Sequence, residues 1–370
     1  MKLPDRLTAS EYEDSTNNKR FGSDSKLKTQ NSKLGLQGSP IIGITTTIPV
    51  EIVFAGGNIP LDLNNIFITA EENAMIRALQ AAEMDGYPRT VCGWIKGIYG
   101  LVAGNQLIKR LIAVTEGDCS QTHALMETLE ERGIDVIPFS YPFSREPQLL
   151  KYQLAALADR FGIDLAAAEA EKKRLDEVRR LVWEIDRLSY EENLVGGYDN
   201  HLFQVSCSDF EGNPESFAQK AEKFIAESRG AGRRQVGPRL AYIGVPPIIT
   251  NFYHIVEELK GNIVFNEVQR QFAMPYLAKD LTEQYLLYTY PYHIRYRIAD
   301  IQEQIARRQI DGIFHYCQSF CFRQIEDILF RRHLKLPLLT IEGENPGPMD
   351  ARTKMRLETF ITMLGNKIRN

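Results

Sequence analysis

Five cysteines carry most of the chemical potential of this 370-residue chain: Cys92, Cys119, Cys207, Cys317 and Cys321. They are few, odd in number and widely spaced, which is not the pattern of a disulfide framework. Such thiols are left with burial in a core, a redox pair, or ligation of a soft metal. Three of them stand where a helix is expected to begin. Cys92 follows Pro88-Arg89-Thr90, Cys119 follows Glu116-Gly117-Asp118 at a strand end, and Cys321 follows an expected strand over 311–316. Free N–H groups and the helix dipole at such positions favour a thiolate or an anionic centre. Clustered thiolates select zinc, copper(I) or iron–sulfur centres, and single cysteines converging from separate helices suit a cubane better than a zinc knot. Cys207 reads as a small buried residue. Cys317 stays open as a fourth ligand, a thiol behind the ligands, or core.

Other candidates surround these thiols. His315 neighbours the Cys321 segment and could donate a proton or a hydrogen bond, although a satisfied buried histidine fits equally well. His123, one turn after Cys119, carries the same two readings. Glu51, on a helix opened by Pro49, is a candidate acid or base facing a cleft. Glu342 and Glu344 follow the last expected strand, and Trp94 and Lys96 ride on the Cys92 helix. Neither a G-x-x-x-x-G-K-[ST] loop nor a strand-borne G-x-G-x-x-G occurs, so any ATP chemistry would belong to another protein.

The elements that must position these residues alternate. Residues 1–38, rich in Ser, Asn, Lys and Asp, read as a poorly ordered or peripheral arm. Over 39–145 apolar strands at 41–44, 107–115 and 134–139 alternate with helices, and 59–63 and 66–68 read as further strand material. Residues 146–192 read as one continuous charged helix, and the section 146–235 reads as helical, closing on an Arg- and Gly-rich linker over 229–234. A second α/β unit fills 236–370, with strands at 239–245, 262–268, 311–316 and 336–341. Strand, helix and Gly-marked turn in that order predict α/β lobes with parallel sheets, which bind ligands beyond the carboxyl ends of their strands.

Composition narrows the class. Hydrophobic residues make 44 % and charged residues 25 % of the chain, ordinary values for a globular enzyme. A formal net charge of −4 gives no reason to expect nucleic acid or an acidic membrane surface. The most apolar stretch, 98–112, is interrupted by glycines and by Lys109 and Arg110, so no membrane span is expected. The N-terminus lacks the layout of a signal peptide, and the expected location is cytoplasmic.

Several segments together resemble one family. They are 43–61 with its Pro49-Val50-Glu51-Ile52 and Ala55-Gly56-Gly57, then 92–100 from Cys92-Gly93-Trp94 onward, Asp118-Cys119, and 310–321 ending in Cys317-Gln318-Ser319-Phe320-Cys321. This is similar to the 2-hydroxyacyl-CoA dehydratase and benzoyl-CoA reductase family, and the resemblance runs over nearly everything after residue 38. It implies two flavodoxin-like (Rossmann-like) lobes with helical additions and a [4Fe-4S] cluster in the cleft between them. By the same resemblance the ligands are Cys92, Cys119 and Cys321, with the fourth iron open or closed by another group. It further implies a homo- or heterodimer with a related subunit, an acyl-CoA substrate, and a separate ATP-hydrolysing iron–sulfur activator protein that supplies low-potential electrons. One branch eliminates water from 2-hydroxyacyl-CoA through a ketyl radical, another reduces aromatic thioesters, and a third holds a double cubane and reduces small molecules. This chain has Thr45 to Thr47 after its first strand and no cysteine there, which favours a single cubane. The expected function is the cluster-bearing subunit of a radical dehydratase or acyl-CoA reductase, and the rival is an electron-relay or scaffold subunit, which a saturating Cys317 would favour.

Overall fold

The computed structural model describes residues 40–369 apart from Gln106, Gln235 and Val236, so the expected arm over 1–38 lies outside the described residues. Two four-stranded sheets organise the rest. The first contains β1 (Ile41–Ile44), β2 (Ile59–Asp62), β3 (Arg110–Glu116) and β4 (Asp135–Ser140) in the order β2-β1-β3-β4. The second contains β5 (Arg239–Gly244), β6 (Asn262–Asn266), β7 (Gly312–Gln318) and β8 (Leu338–Gly343) in the equivalent order β6-β5-β7-β8. Every strand pair is parallel, with Ile44 opposite Ile112 in the first sheet and Ala241 opposite Ile313 in the second. This is the doubly wound, flavodoxin-like arrangement, in which strand order reverses between the first and third strands of each sheet.

The strands are apolar because both faces are covered. Alternate residues of β3 point into different cores: Ile112 and Val114 join one with Leu154, Leu175 and Val182, while Leu111 and Ala113 join another with Ile95, Ile98 and Leu129. A third core mixes the two lobes, packing Phe67, Met75 and Leu79 against Tyr242, Tyr316 and Leu357. Burial of large side chains contributes about 2 kcal/mol each, so this shared core holds the sheets in one relative position.

Three expectations change. Residues 66–68 are not strand: they lie in the helix Leu63–Thr69, started by the Asp62 carboxylate, which accepts from the Asn64 N–H at 2.9 Å. An apolar triplet alone does not distinguish a period of two from one of 3.6. The continuous helix over 146–192 is two helices, Pro147–Arg160 and Leu165–Tyr190, separated by Gly162 at φ +67° and restarted by Asp164, which caps Ala167 at 2.8 Å. The strand expected over 262–268 ends at Asn266, where the helix Glu267–Phe272 begins, and two further helices, Gly197–Ser206 and Leu281–Leu287, occupy stretches to which the sequence assigned no element. None of the described helices is long and apolar enough to cross a membrane.

Candidate functional site

Each sheet presents its switch point, the mouth between its first and third strands, to the other. Thr45 and Thr46 follow β1, Asp118 and Cys119 follow β3, Val245 and Pro246 follow β5, and Gln318 and Cys321 end or follow β7; all line one cavity. Its unfilled space, open mouth included, is about 900 Å³. Cys92, Cys119 and Cys321 all lie on its wall.

Local geometry fixes each thiol. Cys92 caps the helix Gly93–Ala103 and is 5 % exposed. That helix can press inward because its glycines leave room. A Cβ on Gly93 would meet the Glu344 carbonyl at 2.9 Å, one on Gly97 the Phe67 ring at 2.7 Å, and one on Gly100 would overlap the Ala78 carbonyl. Cys119 sits two residues after Gly117, whose φ of +98° disfavours a side chain and where a Cβ would come within 2.7 Å of Pro291 Cβ. The Cys119 carbonyl then accepts from the Thr122 N–H at 3.1 Å as the helix Thr122–Glu130 begins. Cys321 caps the short 3₁₀ turn Phe322–Glu326 and donates its N–H to the Gln318 carbonyl at 3.1 Å.

Electrostatics keep the three as neutral thiols until something positive arrives. Burial pushes Cys92 up to about 11, with the N–H groups of Trp94 and Ile95 pulling the other way. Burial raises Cys119 further, and the neighbouring Asp118 adds to it. Burial also raises Cys321, while the N–H and the guanidinium of Arg323 oppose. Asp118 itself rises to about 6 through burial, against the pull of Arg323 and Tyr290. Arg323 ties the two mouths together. It donates to Glu326 at 2.9 Å, to the Gly117 carbonyl at 3.1 Å and to the Tyr290 carbonyl at 3.4 Å, and lies over the Tyr290 ring at 4.3 Å.

The donor set suits a soft polynuclear centre. Three thiols surround a cavity, each at a backbone turn where N–H groups favour the thiolate, and binding of a cationic centre would displace their protons. Among the described residues no group of three or more His, Cys, Asp or Glu side chains converges closely enough to hold a single ion.

The remaining candidates are dispersed. Cys317 is not on the shared wall. It lines a smaller neighbouring cavity with His315 and Cys321, its sulfur 3.7 Å from both His315 ring nitrogens, and burial raises it to about 12. His315 Nδ1 lies 2.7 Å from Asp327 Oδ1, and its ring meets Phe330 edge-on at 4.9 Å. Glu51 is brought elsewhere: fully buried, it accepts from Arg179 and Gln284 at 2.7 Å and from Tyr285 at 2.8 Å, and it does not line the cavity. Lys96 turns to Glu83 at 2.8 Å, His123, Glu342 and Glu344 are exposed, and Cys207 is core. Trp94 does line the cavity.

Several residues at the site were not singled out from sequence. Asp62 ends β2 and faces the cavity, its backbone N–H donating to the buried Asp209 at 2.8 Å; burial raises both carboxyls, Asp209 to about 8. His201 and Thr122 also line the cavity, buried and with His201 Nδ1 and Thr122 Oγ1 lacking a hydrogen-bond partner. The one available signal was position: Asp62 closes a strand and Arg323 follows Cys321 by two residues. No curated protein matches the chain. Residues 45–364 match the family described as 2-hydroxyglutaryl-CoA dehydratase, D-component. With two flavodoxin-like lobes and a match over most of its length, the chain belongs to that family and is a subunit of a 2-hydroxyacyl-CoA dehydratase-type complex.

Proposed function

We propose that this chain is the cluster-bearing subunit of an ATP-activated radical 2-hydroxyacyl-CoA dehydratase, holding a [4Fe-4S] cluster through Cys92, Cys119 and Cys321. The observation that carries the reading is the meeting of these thiols, two from the first lobe and one from the second, on one cavity wall between the switch points. When bound, the cluster would supply single low-potential electrons to a thioester carbonyl. The protein's own part is placement and exclusion of water. Arg323 holds the Cys119 and Cys321 segments together, and its charge compensates the negative charge that thiolate ligation brings. Ile95, Ile98 and Val268 line the same space with apolar surface, which keeps reactive species from solvent. The related partner subunit and the separate ATP-hydrolysing activator belong to this reading. Cys317 as a fourth ligand would favour the relay alternative, and the turn of its sulfur toward His315 supports the catalytic reading instead.

The test is anaerobic reconstitution of the full chain with iron and sulfide, followed by metal analysis and EPR. The expected result is about four irons per chain, with loss of the signal in Cys92→Ala, Cys119→Ala and Cys321→Ala and its retention in Cys317→Ala. Absence of bound iron, or a full cluster in Cys119→Ala, overturns the cluster; a full cluster with no turnover of any 2-hydroxyacyl-CoA beside an activating ATPase overturns the dehydratase.

A further inference from the structure

The same cavity carries information about the acyl group, and this inference rests on the acyl-CoA reading above. Apart from the thiols, its wall is dominated by apolar side chains, among them Ile68, Trp94, Ile98, Val205 and Phe272. Its charged lining residues, among those described, are Asp62, Asp118 and Arg323. Arg323 is the single cation of the three, and its charge is already paired with Glu326 at 2.9 Å while it donates to the carbonyls of Gly117 and Tyr290. Lys96, buried on the Cys92 helix, pairs with Glu83 and does not line the cavity. An anionic group entering this space would therefore lose its water beside two buried acids and meet one cation already paired with Glu326, which is costly for any carboxylate. Neutral hydrogen-bonding groups fare differently. Trp94 Nε1, Thr122 Oγ1 and His201 Nδ1 have no partner within the protein, and Thr122 and His201 are more than nine-tenths buried. Buried polar atoms of this kind are ordinarily satisfied by ligand or water.

We infer that the cavity selects an acyl group with an uncharged, branched or aromatic body, reads its hydroxyl and carbonyl oxygens with neutral donors, and rejects an acyl group bearing a second carboxylate. Half-buried Ile68 stands where a positive side chain would reverse that preference.

The experiment is anaerobic calorimetric titration of the reconstituted full chain with three unreactive thioesters, 4-methylpentanoyl-CoA, 3-phenylpropanoyl-CoA and glutaryl-CoA. Because the CoA portion is common, differences report the acyl end alone. The two apolar esters should bind more tightly than glutaryl-CoA by a factor on the order of 10 to 100. In Ile68→Arg, with fold verified by circular dichroism, the ratio should fall by about tenfold as glutaryl-CoA gains a partner. Equal or tighter binding of glutaryl-CoA to the unmodified chain overturns the inference while leaving the acyl-CoA reading standing. An unchanged ratio in Ile68→Arg also overturns it, since the acyl group then does not meet this wall. Failure of all three esters to bind removes the acyl-CoA reading itself, and the inference with it.

Discussion

Replacing Glu51 tests whether it is an anchor or a reacting group. Its carboxylate accepts from three donors: Arg179 from the helix Leu165–Tyr190, and Gln284 and Tyr285 from the helix Leu281–Leu287. Glu51 itself lies on the helix Val50–Ala55 behind β1, so one side chain joins three segments of the chain. Its side chain is 0 % and that of Arg179 1 % exposed. Burial alone would lower the Arg179 pKa, but Glu51, with Tyr285 and Asp176, more than offsets this, and the guanidinium stays charged. In Glu51→Ala that charge keeps Asp176 at 3.1 Å and the 3.3 Å contact to Gln284, while Tyr285 loses its side-chain acceptor. Breaking a buried pair from one side costs about 3–5 kcal/mol, a large part of the roughly 5–15 kcal/mol that stabilises a typical protein. Glu51→Gln keeps the volume and one acceptor oxygen and should cost less, about 1–3 kcal/mol. Glu51→Leu with Arg179→Met should lose less than the two single changes added together. Urea unfolding of the apo chain, followed by circular dichroism and tryptophan fluorescence, measures all of these. A loss below about 1 kcal/mol in Glu51→Ala, or an undiminished midpoint in Glu51→Gln with turnover abolished, refutes the anchor and returns Glu51 to the acid–base role its position in the sequence allowed.

Other changes probe neighbouring arguments. Burial lowers the His201 ring from its ordinary 6.5 to about 3, so below about pH 6.5 the unfolded chain takes up a proton that the folded chain refuses. Stability attributable to this residue therefore falls by about 1.4 kcal/mol per pH unit from 6.5 toward 3, where the loss levels off; His201→Phe, which preserves the stack on Tyr253 at 4.8 Å, should show about 2 kcal/mol less loss between pH 7 and pH 5 in urea titrations. Gly100→Ala drives a methyl into the backbone carbonyl of Ala78 on the helix Glu72–Met84 and should cost at least about 1–3 kcal/mol, seen as a lower melting temperature, whereas an unchanged melting point would mean that this helix and Gly93–Ala103 are not in this contact. Arg323→Gln removes the tie to Gly117 and should speed iodoacetamide labelling of Cys119 in the apo chain, with Arg323→Lys restoring the charge but not the fork of donors, so that labelling stays fast; wild-type labelling rates in Arg323→Gln would discount the tie.

Much of the fold was legible because both sheets are buried on each face and their strands read as short apolar runs. The positions of Cys92, Cys119 and Cys321 were legible for the same reason, since each lies where a turn passes into a helix, two of them just beyond a strand. What failed was of two kinds. Residues 66–68 and the break at Gly162 depend on capping by Asp62 and Asp164, a signal of single side chains that the composition around them masks. The surroundings of Glu51 depend on partners 128, 233 and 234 residues away in sequence, and no local pattern carries such pairings. Asp62 and Asp209, 147 residues apart, are the same case.

For Cys317 the sequence offered a further rule. Along a strand successive side chains alternate between faces. In β7, Phe314 and Tyr316 join the core shared by the two lobes, and Gln318, of the same parity, reaches the main cavity. Ile313 belongs to the opposite face, with Phe330 and Leu334, and His315 and Cys317 share its parity. A thiol on that face is carried toward His315 and off the wall that Cys92, Cys119 and Cys321 share, although it lines a smaller cavity beside Cys321. Cys321 escapes this constraint because it lies past the strand end, after Phe320 has taken φ +65° and reversed the chain. The shared wall therefore depends on two thiols just beyond strand ends, Cys119 and Cys321, one from each lobe, and on Cys92 at a helix start of the first lobe. Neither lobe alone holds all three thiols, and their spacing is set by whatever fixes one sheet against the other: the mixed core around Phe67 and Tyr242, and Arg323 at the mouth itself.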